Sequence, residues 1–398
     1  MLHKNLLLFE LAGKRDSFRD YSRTQARDAE IYAEELRRTA SLTAEEVMGK
    51  LGSDEETGAL PSGELNGIGS VARAFGPVWR NHEDAREWAS KVLSSRTTFA
   101  ADGSQIYVEK ETSLPVGAVQ IGWFENPHDP DVPFVKDARL ELLTPVDLIS
   151  GDETGADPES RIGERRFHLE VKRIAEFLES RRDWESRGER MPLAFFDGTL
   201  LVSFSLPQTR LQKSFIDAMV TLVRLSEDTR VPVVGYIDRS LSRDLVNLLC
   251  SLAGIDEAPS ITDAALLTSI PDVLPGWGDR TIFFHSNRSG MGAFRDEGTG
   301  LSSVGFCYIR TSSSGPPARL DIPRWVSEAE LLDELADVVR AECVIGIGYP
   351  YPIETADQTA LISSRDRHIF LKALQEFAVR EELNFTVTRK DASKSRRR

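Results

Sequence analysis

The chain has 398 residues, of which 40% are hydrophobic and 28% charged, with a formal net charge of −14. That length and balance describe a globular protein able to bury one large core or two smaller ones, and they exclude a disordered chain. The acidic balance weighs against a protein that coats nucleic acid, because non-specific binding works by neutralising phosphates with Lys and Arg.

The apolar run at 6–9 is too short for a secretory leader and is followed by charges. No apolar stretch approaches the ~20 residues needed to span a bilayer. Cys250, Cys307 and Cys343 are far apart and form no CxxC pair, which predicts reduced side chains in a cytoplasmic protein with no membrane segment.

Residues 1–50 are charge-rich with helical spacing and hold no Gly or Pro between Arg15 and Val47. Residues 52–69, rich in Gly, Ser, Asp and Glu, read as an exposed linker. A further helical segment covers 71–93. Residues 1–95 are therefore expected to be an N-terminal helical extension, with the main domain over 96–388. Within it, 97–108, 116–124 and 138–143 read as three consecutive strands. A long helix follows at 159–186, then a strand at 193–204, a helix at 211–225 and an apolar strand at 231–237. Ser240 and Ser242 open an amphipathic helix through 252. Strands at 281–285 and 303–310 flank a Gly/Ser/Arg-rich loop at 286–300. A helix at 327–341 leads to a last segment of strand, turn and helix. Three strands, a helix, then alternating strands and helices is an α/β pattern. Residues 389–398 form a basic tail with six basic side chains and one acid. Such a tail is either simply solvated or an arm touching DNA or a partner, and Arg288 and Arg295 could serve the same end.

Four acidic features carry possible chemistry. Asp102-Gly103-Ser104 and Asp197-Gly198-Thr199 each end an apolar run, so each aspartate can project from a buried strand into a cleft, with glycine leaving room for an approaching ion. The same dipeptide is also the commonest hairpin turn. Glu170 lies on the stripe Phe167, Val171, Ile174, Phe177 and Leu178 of the long helix, facing the core. A carboxylate there is costly unless paired, with Arg166 or Arg173, or bound to metal. Asp357 follows Gly348-Tyr349-Pro350 in the first turns of a late helix, either as a partner of the helix dipole or as another ligand. An acid on the first strand, one on the first long helix, one on the fourth strand and one on a late helix is an order that resembles the RNase H-like superfamily. Two cations ~3.5–4 Å apart can activate water and stabilise the leaving oxygen of a phosphodiester, and hard Mg²⁺ or Mn²⁺ prefers carboxylate oxygens.

Phe99-Ala-Ala-Asp102-Gly-Ser-Gln105, Phe195-Phe-Asp197-Gly-Thr-Leu200 and Gly348-Tyr-Pro350 with Ala356-Asp357 resemble the signatures of NurA nucleases. Gly235-Tyr236-Ile237 with Arg239-Ser240 is similar to a further family segment, so the resemblance covers roughly residues 95–385. It implies an RNase H-like mixed sheet flanked by helices. It also implies a Mn²⁺- or Mg²⁺-dependent DNA nuclease, holding two ions and acting in end resection and double-strand break repair. The family works as a homodimer with a HerA-type hexameric ATPase. By matching motifs Asp102, Glu170 and Asp197 take the metal-binding roles, and Tyr349 and Asp357 the late site positions; many relatives carry His where this chain has Asp357.

Three other readings compete. Asp197-Gly-Thr-Leu is reminiscent of haloacid dehalogenase-like phosphatases, but Phe195 stands where their nucleophile would be. Gly67-Ile-Gly69-Ser-Val-Ala72 matches a dinucleotide fingerprint only formally, since it follows an acidic linker rather than a strand. A non-catalytic DNA-binding or assembly subunit of a DNA-processing ATPase complex would keep the fold without needing the acids. No GxxxxGK[ST] loop is present, so ATP hydrolysis would come from a partner.

Overall fold

The computed structural model describes residues 2–52, 56–108, 113–149, 157–202, 209–255, 260–312, 315–384 and 386. The chain divides into two compact units that interleave in sequence. The first takes Met1–Val78 and Tyr236–Arg324, the second Trp79–Gly235 and Trp325–Arg398.

In chain order the first unit opens with α1 (Lys4–Gly13), α2 (Arg15–Ala40), α3 (Ala44–Lys50), β1 (Gly58–Pro61) and β2 (Ala72–Arg73). The second unit then supplies α4 (His82–Leu93), β3 (Thr98–Ile106), β4 (Gly117–Asn126), β5 (Val135–Leu143), α5 (Pro145–Ile149), α6 (Pro158–Ser180), β6 (Leu193–Asp197) and α7 (Arg210–Thr229). The chain passes back within β7 (Val233–Ile237), and α8 (Asp244–Ala253), α9 (Asp263–Ser269), β8 (Arg280–Thr281), β9 (Phe284–Asn287), β10 (Val304–Ile309) and β11 (Ala318–Pro323) follow. At the end come α10 (Arg324–Glu328), α11 (Leu332–Ile345), α12 (Tyr351–Ala360) and α13 (Ser364–Arg380).

The second unit has an α/β arrangement, a mixed sheet flanked by helices. β3, β4 and β5 are antiparallel neighbours, and β6 joins β3 in parallel, with Phe99 opposite Ala194. A parallel strand at the sheet centre is buried on both faces, so β6 is apolar from Leu193 to Phe196 and reaches solvent only at Asp197. The buried stripe of α6 (Ile162, Val171, Ile174, Phe177, Leu178) packs on this sheet, where Phe177 stacks on Phe99 at 4.5 Å between centroids. Asp157 caps α6 through the Ser160 N–H, with Pro158 at the first helical position.

The first unit surrounds a core that includes Tyr32, Leu36, Leu245, Leu249, Phe284 and Phe306. Its strands run β1-β9-β10-β11, with β2 paired to β8 and β8 to β10. Beneath them lies a buried ion network. Arg319 contacts Asp244 at 2.6 Å and Asp321 at 2.7 Å, and Arg288 reaches Asp244 at 2.6 Å. Asp263 accepts the Leu245 and Val246 N–H groups at the start of α8 and the Tyr308 hydroxyl at 2.8 Å.

Several boundaries differ from those read in the sequence. Residues 52–69 contain a strand, β1, paired with β9 and largely buried, not only an exposed linker. The long helix stops at Ser180, and β6 ends at Asp197, well short of residue 204; 203 and 204 lie outside the described residues. The strand expected in the last segment is absent among the described residues, because the apolar Cys343–Ile345 continues α11. Arg288 is held by Asp244, and Arg295 donates to Asn287 and the Gly300 carbonyl, so both guanidinium groups are engaged within the fold. The basic tail at 389–398 lies outside the described residues.

Candidate active site

The site belongs to the second unit and begins at the middle of β3. Side chains alternate across a strand, so Asp102 and its cross-strand neighbour Gly122 face one side of the sheet, while Gly103 and Ile121 face the other. On the first side α12 lies close against β4. A Cβ on Gly122 would sit 2.4 Å from the Ala360 nitrogen and 2.6 Å from the Thr359 carbonyl carbon. Glycine is required there so that the backbones can meet, and this seats α12, with Ala356 and Ala360 buried and Asp357 exposed, within electrostatic reach of Asp102. Gly122→Ala should therefore move α12 and cost at least tenfold in activity with about 1–3 kcal/mol of stability. Paired nuclease and denaturant-unfolding measurements would check this, and unchanged values in both would count against the seating role.

On the other side α6 presents Arg166 and Glu170. Arg166 lies against Gly103, whose added Cβ would be 2.7 Å from the Arg166 Cγ, and its Nη1 donates to the Gly103 carbonyl at 2.9 Å. The same nitrogen is 3.9 Å from a Glu170 carboxylate oxygen, an ion-pair distance and not a hydrogen bond. Arg173, the other candidate partner, lies instead over the Phe99 and Trp123 rings at 4.8 and 4.6 Å. Asp197 ends β6, exposed, and accepts a hydrogen bond from the Tyr349 hydroxyl at 3.0 Å.

The electrostatics follow from this arrangement. Glu170 is 4% exposed. Burial, reinforced by the charges of Asp102 and Asp197, pushes its carboxyl up to about 8 against the pull of Arg166. Asp102 is half-buried. Desolvation, with Asp357 and Asp197 nearby, raises it to about 6, opposed by the Gly103 N–H and Arg166. The charges of Asp102 and Asp197 thus reach Glu170, and those of Asp357 and Asp197 reach Asp102. Among the described residues, no three His, Cys, Asp or Glu side chains are gathered into a preformed metal-binding group. The donor chemistry nonetheless fits a hard divalent cation. The set is all oxygen, it includes a buried carboxylate whose nearest cation lies beyond hydrogen-bonding distance, and its repulsion is what an added positive charge would relieve.

A pH signature results. An acid whose folded pKa is raised keeps its proton in the native state while the unfolded chain loses it, so stability falls as pH rises between the two values. For Glu170 that window runs from 4.5 to about 8. Metal-free protein should melt lower at pH 8 than at pH 6, and Glu170→Gln should flatten that slope in thermal melts. Asp102 adds to the slope with the same sign, whereas His285, lowered to about 4 by burial, opposes it only toward the acidic end. An unchanged slope in the Glu170→Gln variant would refute the assignment of the shift to Glu170.

All five residues singled out in the sequence occur in this unit: Asp102, Asp197 and Tyr349 at strand and turn positions, Glu170 and Asp357 on helices. Gly122 and the positioning contact of Arg166 on Gly103 were not foreseen. Their signal is tertiary, since neither a glycine in a strand nor an arginine on a helix declares what it packs against.

The NurA domain pattern matches residues 96–362. No curated protein matches. Among solved structures, the catalytic domain of human endonuclease V is 14% identical, covering 72% of this chain and 88% of that one at a TM-score of 0.31. Endonuclease V from Bacillus subtilis is 13% identical, covering 76% and 97% at 0.30. Argonaute from Aquifex aeolicus is 10% identical, covering 67% of this chain and 28% of that one at 0.24. Because the family pattern runs from β3 through α12 and takes in all four acids and Tyr349, the chain belongs to the NurA domain family, and its function is of nuclease type.

Proposed function

We propose that the chain is a DNA nuclease dependent on Mn²⁺ or Mg²⁺, hydrolysing phosphodiester bonds at the site formed by Asp102, Glu170, Asp197 and Asp357, with Tyr349 beside them. The observation that carries the reading is Glu170, a buried carboxylate raised to about 8 by burial and by two neighbouring acids. An acid kept in that position is costly to the fold unless a cation comes to it. Asp102, Glu170 and Asp197 would hold the ions, two in number, with Asp357 as the fourth ligand. When bound, the ions supply the charge that favours an ionised attacking water and steadies the departing oxygen. The chain's own part is positional: the Tyr349 hydroxyl fixes one oxygen of Asp197, and Arg166 fixes the strand beside Asp102.

The family resemblance supports a setting in DNA end resection and double-strand break repair, as a homodimer working with a HerA-type hexameric ATPase. The missing phosphate-binding loop agrees with ATP hydrolysis by a partner. The test is cleavage of linear DNA by the intact protein with Mn²⁺, Mg²⁺ or EDTA, alongside the melting temperature in each. Cleavage only with a divalent cation, together with a cation-dependent rise in melting temperature at pH 8, is expected. Equal cleavage in EDTA would remove the metal from the proposal. No cleavage under any condition, with DNA binding retained, would favour a non-catalytic subunit.

A further inference from the structure

Glu342 is a buried acid that the nuclease site does not use. It stands in the last turn of α11 and is 0% exposed. One carboxylate oxygen accepts the Thr98 hydroxyl at 2.7 Å and lies 3.3 Å from His128 Nε2. The other has no hydrogen-bond partner among the described residues. A leucine would fill this position without desolvating a charge, whereas a buried carboxylate costs stability unless it is paired.

His128 supplies the pairing. It follows β4 in the left-handed region (φ 48°), its N–H donating to Asn126 Oδ1 at 3.0 Å and its carbonyl accepting the Ser95 N–H at 3.0 Å. Such backbone is strained for a residue with a Cβ and persists where the surroundings hold it. Nδ1 lies 2.7 Å from the Arg96 carbonyl, which can only accept, so Nδ1 carries a hydrogen. In a neutral ring Nε2 would then be bare and would face the Glu342 oxygen, acceptor against acceptor. The contact is therefore that of an imidazolium donating at both nitrogens. Burial disfavours that charge, yet Glu342 outweighs it and His128 is raised above its ordinary value. Other charged groups of this corner are engaged elsewhere, the Arg96 guanidinium with Glu334 and the Met191 carbonyl, and Glu125 with Arg181.

The acid stands at the head of the elbow that leads to the site. The Glu342 carbonyl accepts the Gly346 N–H at 2.8 Å, and the Cys343 carbonyl accepts the Gly348 N–H at 2.7 Å. Ile347 and Gly348 turn through positive φ, 57° and 104°. The fold is so tight that a Cβ on Gly346 would sit 2.0 Å from the Tyr349 carbonyl oxygen. Pro350 then opens α12. Between Glu342 and Tyr349 the backbone has little freedom, so the place of one sets the place of the other. Thr98 lies opposite Leu193 on the parallel strands β3 and β6, and Asp102 and Asp197 follow four residues along each, ~13 Å away. Apolar packing holds a helix against a sheet but not at one point along it, because burial is non-directional. Hydrogen bonds to Thr98 and His128 supply that point.

We propose that Glu342 is a positioning residue for the nuclease site: tied to Thr98 and His128, it fixes the end of α11 and, through the closed elbow, brings the Tyr349 hydroxyl to Asp197. The inference rests on the reading of Tyr349 and Asp197 as site residues, and its first readout needs no cleavage.

The test uses the full chain with ¹³C-labelled tyrosine and histidine, in EDTA, as wild type, Glu342→Leu and Glu342→Gln. Leucine fills the space without a tether, whereas glutamine can still accept from Thr98 and donate to a neutral His128. The wild-type His128 ring should titrate above its ordinary value of 6.5, and in Glu342→Leu at or below it. The Tyr349 phenol resonance, identified by Tyr349→Phe, should move in Glu342→Leu to where Asp197→Asn places it, and stay in Glu342→Gln. Glu342→Leu should melt no lower than wild type, yet lose about 10–100-fold in kcat for DNA cleavage with Mn²⁺ at little change in KM. Glu342→Gln should recover most of that loss, and Tyr349→Phe added to Glu342→Leu should cost nothing further. If Glu342→Leu fails to fold, His128→Asn, compatible with left-handed backbone but too short to reach Glu342, is read in the same way. A Tyr349 resonance unmoved by these variants, or losses from Glu342→Leu and Tyr349→Phe that multiply, would overturn the inference. A moved resonance in a chain whose wild type cuts no DNA would remove the nuclease reading and leave the positioning role standing.

Discussion

Asp102→Asn and Asp197→Asn should each reduce DNA cleavage by about 10³-fold or more, equivalent to roughly 4 kcal/mol of transition-state stabilisation. The change is nearly isosteric, so the fold should persist. Stability should even improve: Asp102 is one of the charges that raise Glu170, and neutralising it lowers the repulsion felt by the buried acid. The metal-free Asp102→Asn protein is therefore expected to melt higher than wild type at pH 8 while having lost activity, the usual relation between a strained site and its function. Cleavage rates with Mn²⁺ together with melts in EDTA would check both halves. Undiminished cleavage in either variant would remove these carboxylates from the reaction.

Arg319→Met should destabilise the protein by about 3–5 kcal/mol without touching the acids of the second unit. Arg319 is 1% exposed and lies 3.9 Å above the Phe306 ring. It answers two buried carboxylates, Asp244 and Asp321, and against burial it lowers the Asp244 carboxyl together with Arg288. Removing the guanidinium leaves both acids without it in a region that excludes water, and Arg288 reaches only Asp244. A fall in melting temperature of about 10 °C is expected for the transition that reports the first unit. Arg319→Lys should recover only part of it, since an ammonium cannot span two carboxylates as a planar fork does. A melt within a degree of wild type would show that the network relaxes or admits water.

The elements legible in the sequence were those whose patterns are local. Helix α6 shows its apolar stripe, with Glu170 on the buried side, at 3- and 4-residue spacing. Strand β6 shows an unbroken apolar run into Asp197, so its presence was legible, although it stops at Asp197 and not at the expected residue 204. The elements that were not legible had their pattern reversed by burial. Strand β11 alternates apolar residues with Arg319 and Asp321, which reads as a solvated face, yet both charged side chains are buried because they neutralise one another and Asp244. Strand β1 sits among glycines, serines and acids that favour a loop, and only pairing with β9 makes it a strand. Residues 343–345 are an apolar run that serves either helix or strand, and the helix already under way settled it.

The sequence by itself determined the family, through short motifs around Asp102, Asp197 and Tyr349, and it determined the α/β order of elements from periodicity. Tertiary structure decided what those motifs amount to. Helix α12 comes close enough for Asp357 to act on Asp102 only because Gly122 lets two backbones touch. Arg166 steadies the strand at Gly103 and stays 3.9 Å from Glu170, so the buried acid is left largely uncompensated. Residues 236–324 belong with the N-terminal helices, which no reading along the chain could show. The physical reason is the same in each case: periodicity records which side of an element is apolar, whereas the approach of two backbones and the sharing of one charge among several acids depend on what the fold places opposite.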